Sequence, residues 1–207
     1  MDFSKETHDI KPLGAFEITS GKAHISDPCY ELCTWCAGTI EPVKNGVWHS
    51  YVVRIDKDDW GIRCAMLVAY NTENGKVNHE DSRFEKQWFK VDVDSGQAGI
   101  FDAEHFKDDE SVKGCSRVSD SPPICEEEPF YSICCDRTCD RTLSDIGAGV
   151  IPYGVVSSSG CGDGSYDCYA IRDDDNEIIA ICIDFGLLHE EPVDENDYYD
   201  DDEDDEE

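Results

Sequence analysis

Short apolar-alternating segments, each cut off by a Gly, Asn-Gly, Asp or Pro turn signal, recur along most of this chain and commit it to β structure. Residues 14–27 alternate around Ser20-Gly21 and read as a hairpin, which Asp27-Pro28 terminates. A Cys-rich stretch then runs to the Asn45-Gly46 turn. In residues 47–56, Val47, His49, Tyr51, Val53 and Ile55 share one face of a strand, with Trp48, Ser50, Val52 and Arg54 on the other. A turn at Lys57-Asp58-Asp59 leads to 62–70, where Cys64-Ala65-Met66-Leu67-Val68 reads as a buried strand. Two short pieces at 91–93 and 98–101 flank Ser95-Gly96, and Asp102 stands where it would cap a short helix.

Residues 108–125 are polar, contain Pro122-Pro123 and read as a long surface loop. The best helix signal is 129–143, opened by three Glu and a Pro, with Phe130, Ile133, Cys134 and Arg137 at helical spacing. Three more strands are expected at 150–157, 165–171 and 178–185, the last two joined by the acidic turn Asp173-Asp174-Asp175-Asn176. The fold class that follows is mainly β (α+β): an antiparallel β-sandwich or partly closed barrel with one or two packed helices. The domain reading is an N-terminal arm at 1–13, one β-rich domain at 14–188, and a disordered acidic tail at 189–207.

The charge is as distinctive as the pattern. The 207 residues hold 48 Asp and Glu against 17 Lys and Arg, a net −31. Residues 190–207 account for 13 of those carboxylates and no Lys or Arg, which leaves 35 acidic against 17 basic, about −18, on the body. Such a chain repels phosphate backbones and anionic membranes and attracts basic protein surfaces. A hydrophobic content of 39%, with four Trp, nine Tyr and eight Phe, still suffices for a core. The start of the chain lacks the pattern of a secretory signal and no stretch is apolar enough to span a bilayer, so a soluble, cytoplasmic protein is expected. There the 12 Cys would remain mostly thiols, although their even number also permits a disulfide framework.

Four stretches together carry a resemblance: Gly21-Lys22-Ala23-His24-Ile25-Ser26-Asp27-Pro28-Cys29-Tyr30, residues 93–102 with Asp94-Ser95-Gly96, Ser159-Gly160-Cys161-Gly162-Asp163-Gly164-Ser165-Tyr166, and the closing Ile183-Asp184-Phe185-Gly186. In that order they resemble the DUF4241 family, which has a Gly-Asp-Gly motif before a closing hairpin. The resemblance implies a shared fold and no established activity. Cys33 and the acidic tail stand outside it.

Candidate sites compete with structural readings. His24, Cys29, Cys33 and Cys36 form the sharpest metal signal, because a two-residue gap lets two thiolates reach one zinc ion; free Cys, however, commonly just fills core. Cys135 and Cys139, four apart on the expected helix, are a second source of ligands. Asp163 between glycines would serve as a general base or ligand, or else accept turn N–H groups. Asp94 and Asp102 offer carboxylates near strand ends. Cys29 beside His24 is the only nucleophile pair close in sequence. The acidic turn at 173–177 lacks the glycine that a calcium loop needs at its sixth position, and no phosphate loop or serine elbow occurs.

The function expected from this balance is a non-catalytic acidic binding protein for a basic protein partner. In its strongest form it is a nucleic-acid mimic that inhibits a nuclease, a defence system or a toxin. It is expected to bind neither nucleic acid nor membrane directly and to need no cofactor. The binding residues expected are Asp56, Asp58, Asp59, Asp94, Asp108, Asp109, Glu110, Asp163, and Asp200, Asp201 and Asp202 of the tail. The alternatives are a small hydrolase or thiol enzyme using Asp163, Asp94 and Cys29, or a recognition module held by structural zinc.

Overall fold

In the computed structural model, residues 8–115, 125–139 and 146–188 are described, and the alternating segments resolve into two stacked sheets. Strands β1 (Asp9–Ile18), β4 (Gly46–Asp56), β5 (Ile62–Asn71), β6 (Glu85–Val93), β10 (Gly164–Arg172) and β11 (Ile178–Asp184) form the larger, in the order β1-β4-β5-β11-β10-β6. Strands β2 (Ala23–Ser26), β3 (Gly38–Ile40), β7 (Gln97–Asp102), β8 (Ala148–Ile151) and β9 (Gly154–Ser158) form the smaller, in the order β3-β2-β7-β9-β8. Every ladder between these strands is antiparallel. The sheets approach at the β1/β8 edge, where Glu17 N–H donates to the Pro152 carbonyl at 3.0 Å, but stay separate. The architecture is a sandwich with one helix packed on it, not a closed barrel.

Alternation explains the layers. Trp48 and Val52 of β4 and Leu67 and Ala69 of β5 face inward and meet Ile25, Ile100 and Val155 of the smaller sheet. Trp48 is fully buried, and its Nε1–H donates to the Lys44 carbonyl at 2.9 Å, so the indole leaves no orphan donor. The opposite face of the larger sheet is apolar too. Tyr51, Val53, Met66 and Val68 pack there with Phe84 and Leu188, and the Tyr51 hydroxyl donates to the Val77 carbonyl at 3.0 Å. That second covering is why β4 and β5 are buried on both faces.

Helix α1 (Pro129–Cys139) lies on the outer face of the smaller sheet. Phe130, Ile133 and Cys134, the spacing seen in the sequence, pack against Phe101, Phe106, Ile151 and Val156. Gly149 allows the close approach: a Cβ there would lie 2.9 Å from Arg137 Cδ.

Several sequence expectations change once the strands are paired. Residues 14–27 do not form a hairpin, because β1 pairs with β4 while β2 pairs with β3 and β7 in the other sheet. The Ser20-Gly21 turn is a crossing between sheets. Its Thr19 and Ser20 N–H groups are captured by Asp102 Oδ2 at 2.5 and 2.9 Å, which steers the chain across. Residues 9–13, expected in an arm, belong to β1. Asp102 does not begin a helix but closes a turn, its Oδ1 accepting Glu104 N–H at 2.9 Å. The single strand expected at 150–157 is the β8–β9 hairpin. Residues 1–7, 116–124, 140–145 and the acidic tail from 189 on, with Asp200, Asp201 and Asp202, lie outside the described residues.

Candidate functional site

Three of the stretches that carry the family resemblance are hydrogen-bonded together at one end of the sandwich, and the fourth meets them where the Phe185 ring packs edge-on against Tyr166. Asp27, fully buried, is the centre of those hydrogen bonds. Its Oδ2 accepts the N–H groups of Asp94 and Ser95 at 2.9 and 2.7 Å. Its Oδ1 accepts Cys29 N–H at 2.8 Å and the Ser95 hydroxyl at 2.6 Å. The 94–96 turn carries the chain from β6 to β7, so Asp27 fastens a sheet crossing. The next crossing at this end, 159–163, is tied to it by Ser159 N–H on the Gly96 carbonyl at 3.0 Å.

The Gly-Asp-Gly turn is bonded from its flanks. Gly162 N–H reaches the Ser159 carbonyl at 2.7 Å, and the Ser159 and Tyr166 hydroxyls both donate to the Gly162 carbonyl, at 2.8 and 2.7 Å. Gly160 and Gly162 hold φ of 52° and 121°, conformations that favour glycine. Asp163 is exposed, and among the described residues its carboxylate accepts no hydrogen bond. The turn's Gly162 N–H is accepted by the Ser159 carbonyl rather than by Asp163, while the Ser159 and Tyr166 hydroxyls act as donors to the Gly162 carbonyl.

The same end gathers five of the acidic residues singled out in the sequence. Strand directions place Asp56, Asp58 and Asp59 at the β4–β5 connection, Asp94 after β6, and Asp163 before β10. The chain also leaves β11 here, at Asp184, running through Leu188 toward the acidic segment. From β4 to β6 this rim spans four strand spacings, roughly 20 Å. All five carboxylates are exposed, and among the described residues none is held in an ion pair. Burial, with the neighbouring Asp94 carboxylate, pushes the titration of the Tyr30 hydroxyl up.

The remaining acidic candidates lie elsewhere and are engaged locally. Asp109 Oδ1 accepts Phe130 N–H at 3.0 Å and caps the first turn of α1. Asp108 Oδ1 takes Glu110 N–H at 3.1 Å, and Glu110 pairs with Lys113 at 3.0 Å. Asp102 is a second buried staple. Burial opposes its charge, but the N–H groups of Thr19, Ser20 and Glu104 together outweigh that and hold its carboxyl below the usual range.

The thiol and metal candidates sit in separate surroundings. His24 is buried, with Nδ1 2.9 Å from Thr39 Oγ1 and its ring 4.5 Å from that of Phe106; burial lowers its pKa to about 4. Cys33 is exposed, while Cys36 is buried. Cys29 is half-buried, and burial together with the Asp27 carboxylate pushes its thiol up to about 12. A thiol so placed stays protonated, which is the reverse of an activated nucleophile. Among the described residues no three His, Cys, Asp or Glu side chains come together as a metal ion would require.

One feature escaped the sequence pattern. Asp167 and Asp184, directly opposite on β10 and β11, line an outer-face cleft of about 370 Å³ with Lys90, Ser165 and Tyr169. Asp167 is held by Lys86 at 2.6 Å and Lys90 at 3.7 Å. Only the strand register brings these residues together.

A two-sheet sandwich whose crossings are stapled by buried aspartates defines the structural class. The family described as "Protein of unknown function (DUF4241)" matches residues 16–183, and the chain belongs to it. That span runs from β1 to β11 and includes the crossings stapled by Asp27 and by Asp102. No curated protein and no solved structure matches the chain. No helix among the described residues is long and apolar enough to cross a membrane.

Proposed function

We propose that this protein is a non-catalytic acidic binder that engages a basic protein partner through the acidic end of the sandwich, in a cytoplasmic setting. The observation that supports this reading is the gathering of Asp56, Asp58, Asp59, Asp94 and Asp163 on the rim from which the chain runs toward the 13 carboxylates of residues 190–207. Carboxylates that no internal cation neutralises keep their field for a partner outside. A rim of unpaired acid roughly 20 Å long is also the kind of surface that imitates a phosphate backbone to a nucleic-acid-binding groove. Inhibition of a nuclease, a defence system or a toxin is the strongest form of the reading. A thiol-enzyme reading has less support, because burial and the Asp27 carboxylate hold Cys29 as a protonated thiol.

The test is capture of purified basic nucleic-acid-binding proteins by the full chain and by a chain lacking residues 190–207, at low and high salt. Capture should fall steeply with salt. Truncation should weaken it without abolishing it, since the body keeps about −18 of the −31. Equal capture by both chains at low salt would remove the tail from the mechanism, and capture indifferent to salt would overturn the reading.

A further inference from the structure

The connection between β4 and β5 carries an exposed tryptophan on the acidic rim, and that side chain is not part of the core. Trp60 is 63% exposed and Ile62 54%, and no residue of the 3-10 turn at Asp58–Trp60 is buried. Among the described residues Trp48 is fully buried, as are most of the phenylalanines. Two other tryptophans are exposed, but in different company. Trp88 sits on β6 between Lys86 and Lys90 against Phe89, and Trp35 lies in the β2–β3 loop that Asp27 opens at the acidic end, where the loop's Glu31 pairs with Lys107 at 3.5 Å. Of the three, Trp60 is the one flanked along the chain by several acids that hold no ion pair among the described residues, Asp56, Asp58 and Asp59, against the one Lys57.

The turn that presents it is internally bonded. Trp60 N–H donates to the Lys57 carbonyl at 3.0 Å, Gly61 N–H to Asp58 at 2.9 Å, and Lys57 N–H to Gly61 at 3.2 Å. Asp58 and Gly61 hold φ of 51° and 68°, which fixes the reversal. Behind it, β4 and β5 form a long ladder buried on both faces. An apolar side chain on such a base loses little freedom on docking, which removes part of the usual cost of binding. An apolar centre inside a polar charged ring is the layout of a binding hot spot.

We infer that Trp60, with Ile62, is the apolar anchor of this surface and enters an apolar recess bordered by basic residues on the partner. This rests on the acidic-end reading above and adds to it: the partner must offer an apolar recess among its cations, not charge alone. Diffuse attraction from the acids would bring the partner in, and Trp60 would fix its register.

The experiment uses the full chain and two peptide probes of equal length and charge, one an amphipathic Lys-Leu helix and the other built of Lys and Ser. The Lys-Leu peptide should bind about tenfold more tightly or better. It should also shift the Trp60 indole N–H resonance saturably while leaving that of Trp88 in place. Trp60→Ala should erase the Lys-Leu advantage, keep the Lys-Ser affinity and leave the unfolding midpoint unchanged, whereas Trp88→Ala should alter none of these. Equal affinity for both peptides, an unmoved Trp60 resonance, or a fall in stability on Trp60→Ala would each overturn the anchor while leaving the acidic surface standing. Failure of both peptides to bind at low salt would overturn the acidic surface and the anchor with it.

Discussion

Replacing Asp27 by Asn tests whether the family's motif stretches are held together by one carboxylate. The native group accepts four hydrogen bonds at 2.6–2.9 Å in a fully buried position. An amide keeps a single acceptor oxygen. If that oxygen stays with the Asp94 and Ser95 N–H groups, the new NH2 faces Cys29 N–H, donor against donor, while the Ser95 hydroxyl can rotate to accept. The loss is then one orphaned N–H, at about 1–3 kcal/mol, plus the charge assistance of the remaining bonds. The sum is about 2–4 kcal/mol, or roughly 5–15 °C in Tm for a domain of this size. Urea unfolding of both proteins gives the difference, and amide exchange at 94–96 should lose protection together with it. A change below about 0.5 kcal/mol, the scale of ordinary surface substitutions, would show that Asp27 does not staple this crossing.

Other consequences concern single groups. Asp102 is held below the ordinary Asp value near 3.8, so its contribution to stability is present above that value and lost as pH falls through its folded pKa. Asp102→Asn should therefore flatten the acid side of the stability profile, and an unchanged profile would refute the assignment. Trp48→Ala should cost about 3–5 kcal/mol by chemical denaturation, since it empties a fully buried indole site and strands the Lys44 carbonyl. Alkylation at neutral pH followed by peptide mapping should label the exposed Cys33 and Cys161 first. Cys29, pushed up to about 12, should lag behind them, and faster labelling at Cys29 would contradict its protonated state.

The alternating strands and α1 were legible in the sequence because each depends on local periodicity: Trp48 and Val52 do share a face opposite Tyr51 and Val53, and Phe130, Ile133 and Cys134 do form one face of the helix. What the pattern could not supply was partnership. Alternation around Ser20-Gly21 looks the same whether the chain folds back into a hairpin or crosses to another sheet. Asp102, 82 residues from Ser20, decides it. The same distance effect hid the role of Asp27, which reads as a strand-ending Asp-Pro and proves to be the acceptor for a turn 67 residues away. Asp163 was visible as a glycine-flanked carboxylate, but its freedom from internal bonds depends on Ser159 and Tyr166 taking over the turn. Trp60 gave no periodic signal, because it belongs to a turn and to neither strand face.

The most direct test of the acidic end is positional. One variant carries Asn at Asp56, Asp58, Asp59, Asp94 and Asp163. Its control carries the corresponding amides at Glu17, Glu73, Glu104, Asp174 and Asp175, all exposed and near the opposite end of the sandwich. Both lose the same five charges, so sedimentation or calorimetric affinity for one purified basic nucleic-acid-binding protein at low salt separates position from net charge. The acidic-end variant should bind far more weakly than the control; equal losses in the two would reduce the acid to bulk charge and contradict a dedicated binding end.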